Sequence, residues 1–252
     1  MAIRHFGSGT LFGLRTDTPN ATPIMFGALQ DVQVDISGSN KELYGEGQVA
    51  IGMARGQVKI TGKAKQANIS PIVMSDLFFG VPLVSGQTAA AVKEAAAVPG
   101  ATTYTVTVGN GATFAQDLGV VYTNTALPLK KVAANPTVGQ YSVGAGGVYT
   151  FAAADAGVPV GISYTYTVAN TGQKLTVMNP DQGVQPVFSM ILNTSYPSPS
   201  GIKRSSLTLF ANVSEKLSFA TKNGDWMIPE FDFSTFADDG GRVMEWSFPE
   251  LS

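Results

Sequence analysis

The sequence predicts a mainly β protein: a β-sandwich or barrel subunit with a long β-hairpin arm and one short α-helix. Three observations carry this expectation. Val32, Val34 and Ile36 alternate with Gln33 and Asp35, and Val58 and Ile60 alternate with Lys59, Thr61, Lys63 and Lys65. Period-two alternation marks strands with one apolar and one wet face. From Pro99 onward, short Thr-, Val- and Tyr-rich runs recur between Gly, Pro, Asn and Asp residues, roughly every 8–12 residues, as in sandwiches and barrels. The 28 glycines in 252 residues suit a turn-rich β chain.

Residues 1–25 read as an irregular N-terminal arm, punctuated by Gly7, Gly9, Gly13, Pro19 and Pro23. Residues 28–37 and 47–67 read as the two hairpin arms. The segment between them, SGSNKELYGEG, reads as a long Gly- and Ser-rich tip. Two-stranded hairpins are marginal in water, so an arm of this kind needs a neighbour. Next comes the one credible helix: Ser70 is a cap, Pro71 fits the first position, Ile72, Val73, Leu77 and Phe78 form the stripe, and Gly80 stops it.

Residues 81–98 are Ala-rich and ambiguous between helix and strand. TYTVTV (103–108), DLGVVY (117–122), QYSV (140–143), VYTF (148–151) and ISYTYTV (162–168) then read as short strands. PVFSMILNTSY (186–196) and RSSLTLFANVS (204–214) form a longer hairpin. KLSFATK, EFDFSTFA and RVMEWSFPE complete the C-terminal sheet, with ADDGGR as a turn. Phe231, Phe233 and Phe236 are expected to face a core, as are Trp226 and Trp246. The expected organisation is a core of residues 1–98 and 181–252, interrupted by a β-rich elaboration over 99–180.

Only 13% of the residues are charged, about half the usual share of roughly 25%. A chain this poor in charge is expected to bury much of its surface against partners. No apolar run approaches the roughly 18 residues of a membrane span, so no membrane partner is expected. Basic and acidic residues number 8 and 7 in 1–98, 3 and 3 in 99–196, and 5 and 8 in 197–252. A protein that grips nucleic acid through phosphates clusters its Lys and Arg, and no segment here does. The chain has no Cys, which excludes disulfides and thiolate chemistry. The N-terminus, MAIRHFGSG, has no apolar h-region, so no secretory signal is expected.

Catalysis is not expected. The sole histidine, His5, lies in the N-terminal arm without a ready partner, and Ser8 lacks the spacing of a nucleophile elbow. VGAGGVY around Gly144–Gly147 matches no phosphate loop and reads as a turn. Glu230, Asp232, Asp238 and Asp239 lack a calcium-loop pattern. Asn20, Asn68, Asn193 and Asn212 fall in chance N-x-S/T patterns. No cofactor is implied. Lys59, Lys63 and Lys65 share one face of the second arm. They form either a solvated strand face that discourages mispairing or a basic track facing DNA or an acidic neighbour.

The order of segments resembles the major tail tube proteins of long-tailed bacteriophages. LFG near the start, FGALQDVQVDISGSNKELYG, ARGQVKITGKAK and the short helix carry the resemblance. DLGVVY, GQYSVGAGGVYTFAAADAG, ISYTYTV and the aromatic hairpin FDFSTFADDGGRVMEWSFPE extend it over most of the chain. The chain exceeds a minimal tube subunit, and residues 99–180 account for the excess. The resemblance implies a virion tail protein assembled in the bacterial host cytoplasm. Its subunits would form stacked rings, usually hexameric, whose inner sheets join into one ring barrel. Double-stranded DNA would pass through without specific binding. The implied partners are other copies, a tape-measure protein, a tail terminator and baseplate or tip proteins. Asn40, Lys41, Glu42, Leu43 and Tyr44 are the expected ring–ring contact, with Leu43 and Tyr44 as its apolar anchors. Gln33, Asp35, Lys59, Lys63 and Lys65 are the expected channel-lining residues. A virion or cell-surface β-sandwich for adhesion or carbohydrate binding is the alternative, and it expects exposed Trp or Tyr on loops.

Overall fold

A computed structural model describes residues 7–68, 70–198 and 201–249; His5 lies outside them. Among the described residues the chain is mainly β, its strands pairing antiparallel apart from one two-residue parallel bridge, with one helix longer than three residues. It divides into two compact units. The first comprises Met1–Leu83 with Leu175–Ser252, and the second is Val84–Lys174.

The first unit is one eight-stranded sheet. Its strands are β1 (Thr10–Arg15), β2 (Ile24–Met25), β3 (Leu29–Tyr44), β4 (Ala50–Gln66), β12 (Phe188–Ser198), β13 (Gly201–Ser218), β14 (Glu230–Phe236) and β15 (Met244–Ser247). The order is β2-β1-β12-β13-β14-β4-β3, and β15 pairs with β13 beyond the end of β14. Alternation places Leu11, Ala64, Phe188, Met190, Leu209, Phe231 and Phe233 in one core. Leu11 of β1 and Val32 and Val34 of β3 line the same small void, so the sheet curls its apolar face around that core. It does not close into a barrel, since among the described residues β2 and β3 remain as edges.

Two glycines permit this packing. A Cβ on Gly62 would lie 2.1 Å from the Phe233 ring, which stands over it. A Cβ on Gly13 would lie 2.5 Å from Leu77. Leu77 belongs to the helix, which is wound as a π-helix over Val73–Phe79 rather than as the expected α-helix. Ser70 Oγ accepts the Val73 N–H at 3.4 Å, and Gly80 closes the helix at φ 64°. Val73 and Leu77 are buried as expected, whereas Ile72 is exposed.

The N-terminal segment is not an irregular arm: β1 pairs with β12 from Thr10↔Asn193 to Arg15↔Phe188. Leu11, Leu14 and Ile24 outweigh the local glycines because an existing strand edge offers them a ladder. Asn212 is wholly buried. Its amide donates to Phe188 O at 2.9 Å and Leu209 O at 3.0 Å, and Thr235 donates to its oxygen at 2.7 Å.

The second unit pairs a three-stranded sheet with a four-stranded one. Strands β5 (Val84–Ala97), β11 (Pro159–Lys174) and β7 (Phe114–Tyr122) form the first. Strands β6 (Thr105–Thr107), β10 (Val148–Phe151), β9 (Gln140–Gly144) and β8 (Lys130–Lys131) form the second. Val120, Tyr141, Tyr149, Phe151, Ile162 and Tyr164 fill one core shared by the two sheets, giving a β-sandwich. This unit begins at Val84 rather than residue 99, because the Ala-rich segment is a strand laddered to β11 from Pro159↔Ala97 to Lys174↔Val84.

Candidate assembly surface

The β3–β4 ribbon has a backed half and an unbacked half. β14 ladders to β4 only from Glu230↔Lys65 to Thr235↔Ile60. Beyond Ile60, residues Ala50–Lys59 pair with β3 alone, a two-stranded projection of roughly 30 Å at about 3.3 Å per residue. The expected loop at 37–47 is therefore mostly strand. Pairs such as Lys41↔Ala54, Glu42↔Met53 and Leu43↔Gly52 continue the ladder, which leaves only 45–49 as the tip. Register shifts at Gly38/Asn40 and Leu43/Tyr44 add local twist.

This outer half is apolar as well as exposed. Leu43 is 64% exposed, Val49 80% and Ile51 71%, with Met53 and Tyr44 comparable. Asn40, Lys41, Glu42, Leu43 and Tyr44 thus all lie on the projection. Because side chains alternate along a strand, Leu43 and Tyr44 occupy opposite faces. Tyr44 donates its hydroxyl proton to Glu42 on its own face. Val49, Ile51 and Met53 were missed as surface candidates, although their alternation with Ala50, Gly52 and Ala54 was a visible signal.

The backed half has a charged face. Register pairs Gln33↔Lys63, Asp35↔Thr61 and Asp31↔Lys65 put Gln33, Asp35, Lys59, Lys63 and Lys65 on the side away from the core. Gln33 Nε2 donates to Asp35 at 2.9 Å. Lys59 and Lys63 are matched by acids from other strands. Lys63 Nζ lies 3.0 Å from Glu230, Lys59 lies 3.8 Å from Glu215, and Lys216 bridges Glu230 at 3.4 Å and Asp232 at 3.9 Å. The Lys63 hydrogen bond holds the Glu230 carboxyl below its ordinary value and raises Lys63 in return. Two of the three lysines of the basic track therefore pair with acids of their own chain, and the face carries both signs of charge.

At the far end of β4 the sheet holds an apolar cavity of about 130 Å³, lined by Gln66, Val73, Met74, Leu217, Met227 and Phe231, among others. Phe219, also in its wall, is exposed, and Trp226, beside Met227, is 89% exposed. The two Trp residues are not core. Trp226 lies in the connection between β13 and β14, and Trp246 on β15 is half-exposed and stacks on Phe248 with ring centroids 5.2 Å apart. Phe236 also departs from the expected core, because the odd-numbered positions Phe231 and Phe233 take the inner face of β14. In the ADDGGR turn, Asp238 accepts the N–H groups of Gly240 at 3.0 Å and Arg242 at 2.8 Å and pairs with the Arg242 guanidinium at 2.8 Å. Its oxygens serve the turn.

The second unit carries buried carboxylate–tyrosine pairs that the sequence did not signal. Tyr149 and Tyr141 donate to Asp117 at 2.9 and 3.0 Å, as do the Gly119 N–H at 3.0 Å and Lys131 at 3.0 Å. Burial alone would raise the Asp117 carboxyl, but the Lys131, Gly119 and tyrosine donors outweigh it and hold it below the ordinary range. Burial, and then the bond to Asp117, raise both tyrosines. Tyr122 donates to Asp155 at 2.9 Å, and Tyr164 to Glu94. Each pair links segments far apart in sequence, so these groups fix the sandwich.

No protein-family model matches the chain, and no curated protein does.

Proposed function

We propose that this chain is a structural subunit that self-assembles into stacked rings forming a tube, as its resemblance to phage major tail tube proteins implies. The tube is a conduit for double-stranded DNA, and the subunit performs no catalysis. The observation that carries the reading is the unbacked ribbon. An isolated two-stranded ribbon is marginal in water, and exposed apolar side chains on it mark an interaction surface. A 16-residue edge such as β3 also invites a second chain. Rings that join such edges, with inner sheets forming one barrel, would remove both liabilities.

The charge mosaic supports the conduit. Lysines already paired with Glu215, Glu230 and Asp232 release few counterions, so passing phosphates are not held. In this reading Asn40–Tyr44 contact the next ring, and Gln33, Asp35, Lys59, Lys63 and Lys65 face the channel. Tape-measure, terminator and baseplate proteins would be the other partners in a virion tail. The test is negative-stain electron microscopy of the concentrated protein: rings or tubes support the proposal, and monomers under all conditions contradict it.

One observation favours the alternative of adhesion or glycan binding. Trp226 and the Trp246–Phe248 stack are exposed aromatics, and such groups bind sugar faces. Retention on a glycan array, lost in Trp226→Ala, would support that reading over the tube.

A further inference from the structure

We infer that the apolar cavity walled by Val73, Met74, Leu217, Phe219 and Met227 receives the β3–β4 tip of a second copy of this chain. The inference rests on the self-assembly reading and names the surface that the tip meets.

Strand β4 itself sets the geometry. Its first residue, Ala50, adjoins the tip, and its last, Gln66, lines the cavity. Gln66 N also donates to Pro229 O at 3.0 Å, which fixes the cavity wall to the strand end. A projecting apolar tip and an apolar cavity therefore sit at opposite ends of one 17-residue strand, roughly 50 Å apart by strand rise. A contact between two different patches of the same molecule is heterologous, and repeated along an axis it does not close. It extends a stack.

Size and charge agree. A cavity of about 130 Å³ is close to the roughly 150 Å³ void that accommodates a benzene ring, so it suits one side chain such as Leu43 or Tyr44. The outer end of the ribbon carries Lys41 and Arg55 against Glu42 and Glu46, and next to the cavity residues Leu217 and Pro229, Lys216 pairs with Glu230. Neither surface repels the other, and the association is driven by apolar burial. The exposed Phe219 and Trp226 then become the shoulders against which the tip packs.

The absence of Cys from the chain makes the test clean. Tyr44→Cys and Leu43→Cys are each combined with Phe219→Cys in the full chain and oxidised under assembly conditions. Phe219→Glu is assayed in parallel, with its thermal melt recorded to verify folding. A covalent ladder from at least one double variant, absent from the single variants, is expected. So is a rise of roughly tenfold or more in the concentration Phe219→Glu needs to assemble, with an unchanged melt. If wild type assembles and Tyr44→Ala does not, but Phe219→Glu assembles normally and neither double variant gives a ladder, the cavity assignment is overturned and the tube reading stands. If wild type never associates, both fall.

Discussion

The two halves of the β3–β4 ribbon share one pair of strands and differ in what they touch. Near its base, Val32, Val34, Ala64 and the Gly62–Phe233 contact belong to a packed core, with a ladder to β14 on the far side of β4. Beyond Ile60 the same strands have only each other, and Leu43, Val49, Ile51 and Met53 face outward. The ladder continues unchanged in kind. Backbone pairing therefore sets the shape of the ribbon, and side-chain burial sets which part belongs to the packed core and which part stays exposed.

The comparison is broken most severely at its base. Gly62→Ala places a methyl inside the Phe233 ring, and overpacking of this kind is expected to cost about 3 kcal/mol, read as a shift in the denaturant midpoint. An unchanged midpoint would mean that the base of the ribbon is no better packed than its tip. In the second unit, Asp117→Asn leaves Lys131 without its carboxylate and turns an amide donor towards one of the two tyrosine hydroxyls, which bond different carboxylate oxygens. A loss of about 1–3 kcal/mol is expected, checked by amide exchange in β7, β9 and β10. The ribbon amides should be unaffected.

Acid should act on both units. The folded chain protonates Asp117 and Glu230 only at a pH below their ordinary range, whereas the unfolded chain takes up those protons at ordinary carboxylate values near pH 4. Their stabilisation is therefore full above that range and is lost as pH falls through the lowered values. Melts recorded across mildly to strongly acidic pH should show this decline, and Asp117→Asn should flatten part of it. The smallest effect on stability belongs to the tip. Tyr44→Ala removes an exposed ring, so the melt of the monomer should not move, while assembly should weaken sharply. A melt that fell as far as that of Gly62→Ala would erase the distinction between the halves.

Much of this architecture was legible in the alternation of single segments. Val32–Val34–Ile36, Phe231–Phe233 and the Ser70–Gly80 helix signals announced their elements and most of their buried faces. What escaped depended on neighbours distant in sequence. Strand β1 forms because β12, some 180 residues on, offers an edge, and β5 is a strand because β11 pairs with it, alanine having no polar–apolar contrast to read. Ser37–Tyr44 looked like a loop because its polar side chains need no burial when Val58–Ala50 supplies the ladder. The lysine face was visible as a face, but Glu215 and Glu230, which pair with Lys59 and Lys63, lie 156 and 167 residues away. The cavity was invisible for the same reason, being built from the helix, β4, β13 and the loop before β14.

The central claim is that the unbacked half of the ribbon exists to join copies of the chain. Negative-stain electron microscopy of wild type and Tyr44→Ala, side by side over a range of concentration and salt, tests it most directly. Rings or tubes are expected from the wild type, and dispersed or unstacked particles from a variant that melts at the wild-type temperature. Monodisperse wild-type monomers at every concentration and salt, or normal tubes from Tyr44→Ala, would contradict it.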